Sequence, residues 1–152
     1  MAYTTAEGRE KILADLAIAI EQIADALARL GEAYEQLDDD HADALEDALF
    51  RPVQLAYGRA KRIHSEFAAR AGLGDRTFGE HSPGAQSQSV QALIEGAVDA
   101  AREADQTIAE LQDSMLPVEV GDPELRAGLA KVRETLGPVG SRARELIRTV
   151  GR

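Results

Sequence analysis

Arg76, Phe78 and His81 are the residues of this chain whose types and spacing come nearest to a functional cluster. They lie within Gly72-Leu73-Gly74-Asp75-Arg76-Thr77-Phe78-Gly79-Glu80-His81-Ser82. Together they offer a cation, an apolar ring and an imidazole that titrates near neutral pH. Connecting segments built on glycine are where binding residues concentrate, so this stretch is the predicted contact point for a protein partner or a ligand. It lacks the glycine and lysine spacing of a phosphate-cradling P-loop. The plainer alternative is a connection whose Phe78 folds over the end of the neighbouring helices.

Other chemistries lack their residues. There is no cysteine, which removes disulfides, thiolate metal sites and cysteine nucleophiles together. Di-iron bundles need inward glutamates and Glu-x-x-His spacing, and neither His41 nor His64 has a glutamate three residues before it. Helical phosphotransfer domains carry a Lys and a Gly just after their reactive histidine. His64 is followed by Ser65, Glu66, Phe67 and Ala68 instead, and reads as a flank residue beside Arg62 and Glu66. Met115 reads as core filling rather than as a haem ligand. Asp38-Asp39-Asp40-His41 could offer oxygen ligands to a hard cation, yet helix termination and capping explain the run without one. No metal or cofactor is expected.

Arg51, Arg59, Lys61, Arg62 and Arg70 form a basic band that could follow a phosphate backbone. The chain as a whole carries −10, and the segments on either side of the band, 5–40 and 83–120, are acidic. The band therefore predicts ion pairing with acidic neighbours rather than nucleic-acid binding.

The elements that must position these groups are written in four apolar stripes. The first is Leu13, Leu16, Ile20, Ile23, Leu27, Leu30, Tyr34, Leu37. The second is Leu45, Leu49, Val53, Ala56, Ala60, Ile63, Phe67. The third is Val90, Ile94, Ala97, Ala101, Ala104, Ile108, Leu111, Met115, and the fourth is Leu125, Leu129, Val132, Leu136, Val139, Ala143, Leu146, Val150. Alternating steps of three and four, kept strictly in three sets and closely in the second, place each set on one helical seam, and no seam carries a charge.

With Thr4 and Glu7 forming a capping box and Asp122-Pro123 as N-cap and N1, the predicted helices are 5–38, 41–71, 83–116 and 123–150. The predicted fold is all-α: one domain over 1–152, an antiparallel up-down-up-down four-helix bundle with 72–82 as its longest connection. Pro52 and Pro138 lie inside helices, where a missing N–H and a ring clash predict kinks. Those prolines, level with Ala97, Ala101 and Ala104, outline a candidate mid-bundle pocket for an apolar or amphipathic ligand.

Charge varies by segment. Residues 5–40 hold 10 acidic and 3 basic side chains, and 83–120 hold 7 and 1. Residues 51–82 hold 6 basic and 3 acidic, and 124–152 hold 7 and 3. In the up-down-up-down order every neighbouring pair would then be opposite in sign, and the acids of both short connections, with Asp38, Asp39 and Asp40 among them, would gather at one pole. The longest apolar run, Leu16–Ile20, is too short to span a bilayer, and no secretory signal opens the chain. A cytoplasmic protein without a membrane partner is expected. The functional reading is a non-enzymatic interaction or scaffold protein able to bind a partner protein or itself. The alternative is a small-molecule binder using the Ala97–Ala104 layer.

Overall fold

The computed structural model describes residues 5–79, 81–82 and 88–150, and among them there are helices and connections but no strand. The first helix, α1, is Thr5–Gln36; the expected cap Thr4 lies outside the described residues. Ile12, Leu16, Ile20, Ile23 and Leu30 are fully buried along it, the one-sided burial that 3.6-residue periodicity demands. The helix ends two residues before the expected boundary. Asp38 is extended (φ −69°, ψ 165°), and α2, Asp39–Leu45, starts at once. Asp39 and Asp40 stand in its first turn, where the helix dipole favours negative charge.

Glu46–Phe50 forms a π turn before α3, Arg51–Ala71. The Arg51 N–H reaches back five residues to the Glu46 carbonyl. Pro52 has no N–H to donate, and its ring would collide with the carbonyl four residues back; a widened turn accommodates both. Gly72 closes α3 in the left-handed region (φ 70°), with the Leu73 N–H on the Ala68 carbonyl at 2.9 Å, a Schellman ending.

The third long helix, α4, is Val90–Asp113, capped by Ser89 Oγ on the Ala92 N–H at 3.1 Å. The expected start at 83 is corrected: Ser82 and residues 88–89 are not helical, and 83–87 lie outside the described residues. The far end is also earlier than residue 116. Ser114 Oγ donates to the Leu111 carbonyl at 2.6 Å, and Met115 turns left-handed (φ 65°), which breaks the ladder before Pro117 is reached. Met115 leaves the seam and is 51% exposed. A short α5, Leu116–Glu119, follows. Asp122 caps α6, Pro123–Leu136, through Leu125 N–H at 2.9 Å. Gly137-Pro138 separates it from α7, Val139–Val150, while Leu136 and Val139 stay buried in phase.

The packing order departs from expectation. Arg29 of α1 abuts Gly96, Gln22 meets Thr107, and Gly8 faces Leu116 and Val120. These pairs run in opposite directions, so α1 and α4 are antiparallel, and theirs is the most extensive helix contact. Arg70–Asp122, Ile63–Gly128 and Arg59–Thr135 make α3 antiparallel to α6. Arg102–Gly140 and Asp105–Arg133 do the same for α4 against α7 and α6. The up-down-up-down order is thereby overturned: α3 and α4 run in the same sense. The 72–89 connection makes this possible. Eighteen residues can span roughly 60 Å, more than the ~45 Å of a 30-residue helix. Its described points climb α1 in register. Arg76 pairs with Glu21, His81 shares a groove with Leu27 and Gly31, and the Gln88 carbonyl accepts from Gln36 at 3.2 Å.

Candidate interaction surface

The predicted loop cluster is held in place largely by its own chain. Phe78 stands edge-on to His64, with ring centroids 5.2 Å apart at 87°. Arg76 lies over the Phe78 ring at 5.1 Å and forms an ion pair with Glu21. His81 is exposed, at the rim of an apolar groove between Leu27 of α1 and Phe50 and Tyr57 of the π turn and α3. So Arg76 and Phe78 are engaged in latching the connection, and His81 faces outward.

His64 is the residue that sequence reasoning misplaced. It is 3% exposed, not a flank residue. The seam along α3 steps from Ala60 to His64 and then Phe67, while Ile63 is only partly buried; a step of four instead of three was the available signal. Its Nδ1 has no hydrogen-bond partner, and Asp75 Oδ1 lies 3.6 Å away, beyond hydrogen-bond reach. Burial is the dominant influence on the imidazole and pushes its pKa below the ordinary value; Asp75 pulls it up, and Arg76 adds to the depression. Asp75 itself is held by the Arg76 N–H at 2.8 Å and by Ser65 Oγ at 3.1 Å, which lower its pKa.

The residues of the candidate mid-bundle pocket are placed differently from one another. Ala97 and Ala104 are packed in the core, Pro52 is half-buried, and Pro138 is exposed. Ala101 lines a surface cleft at the Gly137-Pro138 break. Asp38 contacts His41 Nδ1 at 2.5 Å. Among the described residues no cluster of three or more His, Asp or Glu side chains is arranged to hold a metal ion, and no helix is long and apolar enough to cross a membrane.

The corrected packing order changes the charge map most. The acidic helices α1 and α4 are neighbours, and so are the basic α3 and α6. The expected alternation of sign around the helices does not occur. The single acidic pole is corrected too, because the two short connections lie at opposite ends. Asp122 and Glu124 sit with Arg70, whose Nε and Nη1 are 2.8 and 3.0 Å from their carboxylates. Burial disfavours charge on Asp122, but its bonds from Arg70 and the Leu125 N–H outweigh this and hold its pKa low.

One side of the molecule is therefore basic. On α3, Arg51, Leu55, Gly58 and Arg62 recur at steps of four, three and four, forming one outward stripe. A depression of about 500 Å³ follows this stripe, with Gln54 and Arg59 beside it. Gly58 leaves its middle open: a Cβ there would meet nothing within 4 Å. Leu55 is 49% exposed within it. Arg59 Nη1 donates to Thr135 Oγ1 on α6 at 2.6 Å, joining the stripe to the neighbouring basic helix. Sequence reasoning found the arginines and the off-seam Leu55 separately, and missed Gly58 between them.

Comparison with family models, curated proteins and solved structures gives no match for this chain.

Proposed function

We propose that this protein is a non-enzymatic interaction module whose basic α3–α6 face docks an acidic surface of a partner protein. Its frame, in this reading, is a four-helix bundle of up-down-down-up order, with α2–α3 counted as one helix and α6–α7 as another. The observation that carries the proposal is the depression at Gly58, where half-exposed Leu55 is ringed by Arg51, Arg59 and Arg62 in a chain of net charge −10. An apolar centre with an arginine rim is the composition of a protein-binding patch. Charge complementarity then selects an acidic partner and speeds encounter.

The test is a fluorescence titration of the full chain with a Glu-rich amphipathic helical peptide carrying leucines on one face. Saturable binding that weakens with salt is expected, and Arg59→Gln/Arg62→Gln should reduce it by about tenfold. Leu55→Ser should weaken it at unchanged salt dependence. Equal binding by the double variant, or tighter binding of a short DNA duplex than of the peptide, would reject the proposal.

A further inference from the structure

A second hollow lies where α4 faces the junction of α6 and α7. The Gly137-Pro138 break leaves a cleft of about 250 Å³ there. Its floor is formed by the nearly buried side chains of Val98 and Ala101 from α4 and of Leu136 and Val139 from either side of the break. Arg102 and Arg144 stand at the rim. Neither side chain forms an ion pair or hydrogen bond with another described residue.

The nearby acid does not answer them. Asp105 also lines the cleft, but Arg133 takes both of its oxygens, at 3.0 Å to Oδ1 and 3.4 Å to Oδ2. The uncommitted charges of the cleft are thus both positive, in a chain where acids outnumber bases by ten. Gly140 sets the position of one of them. A Cβ at residue 140 would stand 3.1 Å from Arg102 Nη2, so the guanidinium lies directly across the first turn of α7.

We propose that this cleft binds a small amphipathic carboxylate. Its head would sit between Arg102 and Arg144, and its apolar part would cover Val98, Ala101, Leu136 and Val139. Guanidinium groups match a carboxylate with paired N–H donors. The cleft lies just under the usual range for ligand sites of 300–1,000 Å³, which limits the occupant to a small molecule. Inorganic phosphate would satisfy the arginines but make no apolar contact with these four side chains. This site is separate from the α3 depression and stands or falls independently of it.

The probe is sodium benzoate, titrated into the full chain at constant ionic strength and followed by backbone amide NMR. Saturable shifts centred on Ala101 and Gly140 are expected. Neutral benzamide should bind at least about tenfold more weakly, since it lacks the charge that strengthens the head-group hydrogen bonds. Arg102→Gln and Arg144→Gln should each weaken benzoate while leaving the rest of the spectrum in place, and Gly140→Ala should weaken it by displacing Arg102. Non-saturating shifts, equal affinity for benzamide, equal affinity for inorganic phosphate, or folded arginine variants that bind as before would each overturn the proposal.

Discussion

His64 illustrates how one side chain can tie a connection to the core. Its Nδ1 is buried without a partner, Phe78 covers its edge, and Asp75 and Arg76 are the charged groups that face it. The folded-state pKa lies below the ordinary value near 6.5, so as pH falls the unfolded chain takes up the proton first. Stability is then fully present above about pH 6.5 and is lost as pH drops toward the folded-state value. Urea denaturation between pH 7.5 and 5.5 should show the midpoint falling for the wild type, and falling less for His64→Leu. Phe78→Ala should cost about 1–2 kcal/mol through lost burial and ring contact, read in the same denaturation experiment at pH 7.5. At this scale the sequence was legible in type but not in placement. Arg76, Phe78 and His81 were recognisable as chemically able; that Arg76 and Phe78 are spent on Glu21 and His64 depends on which helix the connection lies against.

Helix boundaries follow local rules that can be tested one residue at a time. Ser89 caps α4 alone, whereas Asp122 caps α6 and also pairs with Arg70. Ser89→Ala should therefore cost about 1 kcal/mol, and Asp122→Ala measurably more. Glycine offers a sharper contrast. Gly58→Ala should raise stability by about 0.5–1 kcal/mol, because helix propensity improves and nothing is struck. At Gly128 the added carbon would lie 2.7 Å from Ile63 Cγ1, across the α3–α6 contact. Gly128→Ala should lose that gain or reverse it, as thermal denaturation of the two variants would show. The helices themselves were legible because a 3-4 apolar rhythm admits one regular structure. The π turn at Glu46–Phe50 and the early ends of α1 and α4 were not, since hydrogen bonds from single groups such as Ser114 Oγ decide them.

For the whole molecule the pairing of like-charged helices has a measurable consequence. With α1 beside α4 and α3 beside α6, two neighbouring helix pairs are each of one predominant sign, and the net charge of −10 adds to the repulsion between them. Screening should relieve it. Raising NaCl from about 20 to 300 mM, which shortens the Debye length severalfold, is expected to raise the melting temperature. An alternating arrangement would show the opposite response. The same sidedness gives an acidic chain a basic face, even though within the arginine band Arg70 is paired with Asp122 and Glu124 and Arg51 with Asp47.

The amino-acid sequence by itself determined an all-helical chain with uncharged seams, the caps at Asp122 and Gly72, and the loop-like composition of 72–82, because each of these follows from periodicity or from the conformational limits of residues close together in the chain. Only the tertiary structure decided that α4 runs alongside α1 in the opposite sense, that His64 replaces Ile63 on the buried seam, and that Gly58 and the Pro138 break open hollows edged with arginine. Those outcomes turn on which helix packs against which. An 18-residue connection is long enough to permit either order, so local sequence rules leave the choice to the packing of distant side chains.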